Sequence, residues 1–391
     1  MKAFAYLAEL ALALLFLPAV RALRLLGWRP ARASIVGWWG SETIGDIAIL
    51  GQLLTECRAI AATAPLDVVS FDARVTRATL RMLGYRDVRC LPLGVLSAWA
   101  LVASRCIIVG GGPLMESPSM RFWAWRHRLV RAAGGRVLLY ANGIGPVRSA
   151  GGAETIVSIL HNASHVVLRD STSVAWSAVH AKRTDAVLSF DPAFDFVRTL
   201  HTPGLTRRRQ LALALRSPSV PYLDGVEEGL ATEQFLEVLA AALNHISATT
   251  DLRFVGLVMH DGSDDAAMYA RLRRKLSDPA RLHVPENQDV TAIVRLLESS
   301  QAALTVRFHA MIFALATDTP FVAIDYARPQ GKVTAAAIDV RCGDAVLAWD
   351  TVTESALRMG LQRALDAGGA SSRDVSAASS ARRAVLGAAL A

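Results

Sequence analysis

The chain has 391 residues, of which 52% are hydrophobic and 19% charged, and its formal net charge is +8. So much apolar surface excludes a disordered chain, and no period sustained along the chain points to collagen or a coiled coil. At roughly 100–200 residues per domain the length suggests two or three domains. Four cysteines (Cys57, Cys90, Cys106 and Cys342) with no C-x-x-C pair exclude a disulfide scaffold and argue against cysteine-bound zinc. Reduced thiols in a cytosolic protein are the expectation.

Half of the net charge lies in the first 33 residues, where Lys2, Arg21, Arg24, Arg29 and Arg32 face the single acid Glu9. The basic residues follow an apolar run, 3–17, broken only by Glu9. A secretory signal, a short membrane span and a helix lying in the bilayer surface compete as readings. The surface helix fits best, with its arginines on lipid headgroups, against an amphipathic helix packed on the globular body. The arginines would also hold the following chain on the cytoplasmic side. The expected location is the cytoplasm, at the inner face of the membrane.

From residue 34 short β-branched apolar runs alternate with helical stretches. Runs at 34–37, 67–71, 106–109, 136–140, 166–168 and 186–190 predict strands, and segments 45–60, 74–83, 119–133, 153–161 and 171–179 predict helices. Runs this short and apolar are buried on both faces, as in a parallel sheet covered by helices. Residues 195–210 break the pattern with Pro203, Gly204 and Arg207-Arg208-Arg209. A second series follows, with strands at 211–215, 252–257, 281–284, 302–306 and 321–324 and helices at 232–246, 264–276, 290–298 and 308–316. From 367 the chain is rich in Ala, Ser and Gly and is expected to fray or to end in a loosely attached helix. The expected organisation is a membrane-associating or packing helix (1–33), an α/β domain (34–195), a linker (196–210), a second α/β domain (211–366) and a low-complexity tail (367–391). Two Rossmann-like domains in tandem face each other across a cleft, with ligands at the carboxyl ends of their strands.

The motifs at those ends carry the chemistry. The first strand exits through Gly37-Trp38-Trp39-Gly40 into a helix whose first turn holds Asp46, a functional carboxylate or one that complements the helix dipole. Gly110-Gly111-Gly112 after a buried strand is costly in chain entropy and implies close approach by a ligand or another backbone. Asn142 sits in a further glycine-punctuated exit, Tyr140 to Pro146, where it either donates to a ligand oxygen or caps a turn. Arg169, Arg216 and Arg307 each stand where a strand stops and a helix is expected, and Asp170 opens one of those helices. Arg in a first helical turn opposes the dipole preference and is better tolerated beside an anion. Its planar fork suits carboxylate and phosphate. A single such Arg is usually an interface ion pair, but three shift the reading toward a small anionic ligand. His309, two residues after Arg307, can transfer protons near neutral pH or bind an anion. Segment 119–133 mixes Arg121, Arg126, Arg128 and Arg131 with Phe122, Trp123 and Trp125. Helical spacing makes Phe122, Trp125 and Leu129 a core stripe, with the arginines on a face turned to lipid or an acidic acceptor. No nucleic-acid reading motif accompanies the charge, so no nucleic-acid partner is expected.

Taken in order, these pieces resemble the polysaccharide pyruvyl transferase family. The match runs from about 35 to 333 through the 37–50 loop and helix, the glycine triplet, Gly143-Ile144-Gly145-Pro146, Leu168-Arg169-Asp170, Asp191-Pro192-Ala193-Phe194, and Arg307-x-His309 followed by Pro320 and Tyr326. The resemblance implies a GT-B-like fold. It implies transfer of a pyruvyl group from phosphoenolpyruvate to a sugar, as a cyclic ketal, on a cell-surface polysaccharide or its lipid-linked oligosaccharide precursor. Arg169, Arg216, Arg307 and Lys332 would then hold the donor's carboxylate and phosphate, with Asn142 and the backbone of Gly110, Gly111 and Gly112 assisting. His309 would protonate the methylene carbon or hold the phosphate, and Asp46 or Asp170 would act as base, with no cofactor and no metal. Two positions depart from the family's first loop, with Thr43 where Asn is usual and Ile47 where Glu is usual. Lys332 follows Tyr326 later than the family's lysine does. A nucleotide-sugar glycosyltransferase of the same fold and a non-catalytic glycan-assembly relative are the competing readings.

Overall fold

The computed structural model describes residues 2–28, 32–41, 43–202, 204–217, 228–260, 265–326, 331–367 and 375–391. They form two compact units. The first comprises Met1–Glu42, Ile49–Pro192 and Val375–Ala391, and the second Thr43–Ala48 and Ala193–Asp374.

In chain order the first series is α1 (Lys2–Leu25), β1 (Ala33–Val36), α2 (Ile44–Ile60), β2 (Leu66–Ser70), α3 (Ala73–Met82), β3 (Arg89–Pro92), α4 (Val95–Ala103), β4 (Cys106–Val109), α5 (Met120–Ala132), β5 (Arg136–Asn142), α6 (Ala150–His161), β6 (His165–Leu168), α7 (Ser171–Ala181) and β7 (Val187–Leu188). The strands make one parallel sheet in the order β3-β2-β1-β4-β5-β6-β7. Every residue of β1, β2 and β4 is buried, because helices cover the sheet as its uninterrupted apolar runs require. The core gathers around Ile107, Val109, Val137, Leu139, Ile159 and Leu160.

The second series is α8 (Pro192–Leu200), β8 (Arg208–Ala214), α9 (Glu228–Thr249), β9 (Arg253–Gly256), α10 (Asp265–Arg273), β10 (Leu282–His283), α11 (Val290–Glu298), β11 (Ser300–Thr305), α12 (Phe308–Ala316), β12 (Phe321–Asp325), α13 (Lys332–Asp339), β13 (Val346–Ala348) and α14 (Glu354–Asp366), followed by α15 (Ser376–Leu390). Its sheet is also parallel, in the order β10-β9-β8-β11-β12-β13. Its core is built on Leu211, Leu213, Leu239, Leu243, Leu304 and Ile324.

The elements depart from the sequence expectation in several places. The stretch 196–210 contains the end of α8 and the first residues of β8 in place of an open linker. Strands β3 and β13 and helices α4, α13 and α14 lie in regions with no predicted element. β3 is an edge strand with an exposed Arg89 and Pro92, and α4 is too apolar to show a polar face. The tail forms a helix, one of its two expected states, but α15 is packed into the first unit and is not loosely attached. Ser379, Arg382, Leu386 and Ala389 are its buried stripe, at a helical spacing that small residues hide in the composition. Arg382 is fully buried and donates to Glu56 Oε1 at 2.6 Å, to Ser189 Oγ at 3.2 Å and to the Phe190 carbonyl at 3.2 Å.

Helix α1 packs on α4 and α5 within the first unit. Tyr6 stacks on Phe122 at 5.3 Å and meets Phe71 edge-on at 5.2 Å. Glu9 is buried, accepting from Arg126 Nε at 2.8 Å and from Ser97 Oγ at 2.5 Å. At the far end Arg24 donates to the carbonyls of Gly134 (2.7 Å) and Ser104 (2.8 Å).

Candidate active site

In the first unit the strand exits close upon themselves. A Cβ on Gly37 would lie 2.3 Å from the Gly110 carbonyl oxygen. Gly111 and Gly112 adopt φ of +75° and +79°, where L side chains are strained. Their faces are covered by the Trp39 and Trp38 indoles, which an added Cβ would meet at 2.9 and 2.8 Å. The close approach expected at this triplet is therefore made by Trp38, Trp39 and the Gly37 backbone. Asn142 donates from Nδ2 to the Gly112 carbonyl at 3.1 Å. Its own carbonyl accepts from Arg169 N at 3.2 Å. Its buried Oδ1 has no hydrogen-bond partner among the described residues, an arrangement that is rare in folded chains.

Arg169 is buried and donates to the equally buried Asp191 at 3.0 Å. Gly143 makes room for it, because a Cβ there would lie 2.8 Å from Arg169 Nε. Asp170 is the N-cap of α7, where its Oδ1 accepts from Ser173 N at 2.7 Å. Capping satisfies an otherwise orphaned helix N–H, so the position of Asp170 has a structural cause that needs no proton transfer. Arg169 likewise has a partner carboxylate in its own unit. Neither keeps the role expected from sequence in the reading developed below.

The second unit is arranged differently. β8, β11 and β12 are adjacent, with Ala214 paired to Thr305 and Thr305 level with Ala323. Arg216, Arg307 and Tyr326 follow directly on those three strands. Arg216 donates to Tyr326 Oη at 2.7 Å, with its guanidinium 4.6 Å from the ring centroid. Lys332, in the first turn of α13, lies 5.9 Å from the Tyr326 ring centre and 5.5 Å from that of Phe308. Arg307 is the N-cap residue of α12 and makes no side-chain capping bond. It donates to the buried Asp265, which also accepts from Met259 N at 3.2 Å. Burial acts most strongly on the Tyr326 phenol and opposes its ionisation, yet Lys332, Arg216 and Arg307 together outweigh it and hold its pKa below the ordinary value of 10.0.

His309 stands in the first turn of α12. Its imidazole lies against Gly45, where a Cβ would sit 2.0 Å from Nδ1. The Gly45 segment is fixed to the second unit by Ile44 N donating to the Met259 carbonyl at 3.0 Å. One residue on, Asp46 accepts from Thr43 N at 3.1 Å and from Thr43 Oγ1 at 2.9 Å, while Asp46 N donates back to Thr43 Oγ1 at 3.2 Å. This reciprocal cap starts α2 and explains how Thr43 can stand where the family usually has Asn.

The structure thus brings Arg216, Arg307, His309, Lys332 and Asp46 into one unit, and places Arg169, Asp170, Asn142 and the glycine triplet in the other. Sequence reasoning missed Asp265, Asp191 and the site role of Tyr326. Asp191 and Tyr326 fell within the family-like segments and could have been found there. Asp265 carried no signal, its link to Arg307 spanning 42 residues.

Two parallel helix-covered sheets, with ionisable side chains at the carboxyl ends of their strands, make a GT-B-like α/β fold. S. aureus MnaA in complex with UDP superposes with a TM-score of 0.60 at 11% identity, over 90% of this chain and 94% of that one. The UDP-GlcNAc 2-epimerase of Neisseria meningitidis bound to UDP-GlcNAc superposes at 0.58 and 9% identity, over 91% and 99%. Anabaena Alr3699/HepE in complex with UDP-glucose superposes at 0.55 and 11% identity, over 91% and 99%. At such identities the likeness shows the fold alone. The family is shown by sequence: the polysaccharide pyruvyl transferase model matches residues 44–328, and the chain belongs to that family. No curated protein sequence matches it significantly. It is an enzyme of polysaccharide pyruvyl transfer.

Proposed function

We propose that the protein transfers the pyruvyl group of phosphoenolpyruvate to two hydroxyls of one sugar, as a ketal, on a polysaccharide precursor carried by lipid at the cytoplasmic face of the membrane. The observation that carries this reading is the group of three cations, Arg216, Arg307 and Lys332, gathered about Tyr326, with His309 two residues after Arg307. Phosphoenolpyruvate is a small polyanion, and charge-assisted bonds from two guanidinium forks and an ammonium suit its carboxylate and phosphate. His309 gives a proton to the methylene carbon. C2 becomes electrophilic and takes the oxygen of the first sugar hydroxyl, whose proton goes to a base. The bond from C2 to the phosphate oxygen breaks, inorganic phosphate leaves, and the second hydroxyl closes the ketal with loss of its proton. Asp46 is the carboxylate nearest in sequence to the Gly45 face on which His309 rests, and we assign it the base.

The test is incubation of the protein with labelled phosphoenolpyruvate and a panel of lipid-linked and nucleotide-linked sugars. Stoichiometric phosphate release and a pyruvyl-ketal adduct by mass are expected. Release of a nucleoside diphosphate from a nucleotide sugar, without consumption of phosphoenolpyruvate, would replace this reading with glycosyl transfer. That second reading draws on the UDP and UDP-sugar complexes of proteins sharing the fold.

A further inference from the structure

Helix α1 contains a stretch, Phe4–Leu25, long and apolar enough to cross a membrane. Its packing points to a different use. Tyr6, Glu9, Leu10, Ala13 and Val20 are buried against the first unit. The opposite face carries Phe4, Leu7, Ala11, Leu14, Leu15, Pro18, Ala22 and Leu25, all exposed. Phe4 is 77% exposed, Leu15 74% and Leu25 88%. The neighbouring α4 exposes only Val95, Leu96 and Trp99. On α5 the exposed residues are Arg121, Trp125, Arg128, Arg131 and Ala132, so Trp125 lies outside the core stripe expected from sequence, and Arg126, expected on the charged face, is buried. The α1 and α5 faces meet along an apolar groove of about 940 Å³, lined by Leu7, Leu10 and Leu14 on one side and Phe122, Trp125 and Leu129 on the other.

The exposed charges on the three helices have one sign, and the acid that lines the groove, Glu116, is held by Ser149 Oγ at 2.5 Å and by the Arg148 and Ser149 N–H groups at 2.7 and 2.9 Å. Among the described side chains, every exposed charge on α1, α4 and α5 is an arginine: Arg21, Arg121, Arg128 and Arg131. The one acid of these helices, Glu9, is 1% exposed and paired with Arg126. A broad apolar face rimmed by cations and tryptophans matches the chemistry of an anionic lipid surface. A second copy of the chain is a poorer match. The exposed stripe on α1 has heptad-like spacing, but Pro18 lies in it and Arg21 falls at the next seam position, where a coiled coil wants an apolar knob.

We propose that the α1–α4–α5 face docks in the plane of an anionic bilayer, with α1 half-immersed parallel to the surface and never crossing it. A spanning α1 would have to surrender the Glu9 bonds to Arg126 and Ser97 and the Arg24 bonds to Gly134 and Ser104. It would also carry Glu9 into hydrocarbon without a partner. The inference rests on the reading of a lipid-carried acceptor, and its test involves no turnover, so the two fail separately. The full chain is sedimented with vesicles of phosphatidylcholine, with and without phosphatidylglycerol. Binding is expected to be about tenfold or more tighter with the anionic lipid and to weaken with salt. The double variant Leu14→Glu/Leu15→Glu and, separately, Trp125→Glu should each lose about tenfold or more, with melting unchanged because all three side chains are exposed. Alkaline carbonate should strip the wild-type protein from membranes. Carbonate-resistant attachment would mean that α1 spans, and undiminished binding by correctly folded variants would remove this face from the interaction. A wild-type dimer that ignores vesicles and becomes monomeric on Leu14→Glu/Leu15→Glu would assign the face to self-association.

Discussion

Both sheets are parallel and share a connectivity, yet their carboxyl ends arrange charge differently. In the first unit Arg169 meets Asp191, both 2% exposed or less, Asp170 caps its helix, and the glycine triplet is filled by tryptophan. In the second, Arg216, Arg307 and Lys332 surround one phenol, with Asp265 on Arg307. A glycine loop and an arginine at a strand end are therefore not evidence of a ligand site in themselves. What separates the two ends is how the cations are arranged: Arg169 meets a carboxylate of its own unit, whereas Arg216, Arg307 and Lys332 converge on one phenol even though Arg307 also keeps Asp265.

That contrast can be broken by experiment. The largest effect is expected from His309→Ala, which should lower kcat by about 10²–10⁴-fold with little change in melting. Unchanged turnover would remove the proton-donor role. Next comes Arg169→Ala, which strands the buried Asp191 and should cost about 3–5 kcal/mol in denaturant unfolding. If instead it abolished phosphoenolpyruvate binding at full stability, the first unit would have to be counted as a donor site. Smaller, and confined to acid, is the contribution of His127, fully buried in α5 with its pKa pushed down to about 4 by burial. The native state keeps this imidazole neutral, while the unfolded chain protonates near pH 6.5. Stability should thus fall as pH drops from about 6.5 to 4, by about 3 kcal/mol in all, and a flat profile would contradict the burial. Smallest is the titration of Tyr326. Its phenol should ionise below 10.0 in the free protein and shift upward when phosphoenolpyruvate occupies the three cations. An unshifted titration with ligand bound would place the donor elsewhere.

The α/β alternation was readable because parallel strands buried on both faces leave uninterrupted runs such as Cys106–Val109. The arginines at strand ends were readable too, but their partners were not. Asp191 is 22 residues from Arg169 and Asp265 is 42 from Arg307, and nothing local in the chain announces either pairing. The tail misled for a related reason. Its Ala and Ser residues look uncommitted until Arg382 is seen on Glu56, 326 residues away. Helix α4 was hidden by lacking a polar face: α1 packs on it, and its exposed residues Val95, Leu96 and Trp99 are apolar as well.

The position of α15 also has a consequence for synthesis. The ribosome releases the whole of the second unit before residue 382 emerges, and until then Glu56 and Tyr140, joined at 2.7 Å, have no guanidinium to complete them. The second unit can fold on the nascent chain, whereas the first must wait for its last helix across a very long sequence separation, which slows closure. A chain stopped at residue 374 should therefore show protease protection in 232–366 while 33–192 is still cut, and protection of both would mean that α15 arrives too late to matter.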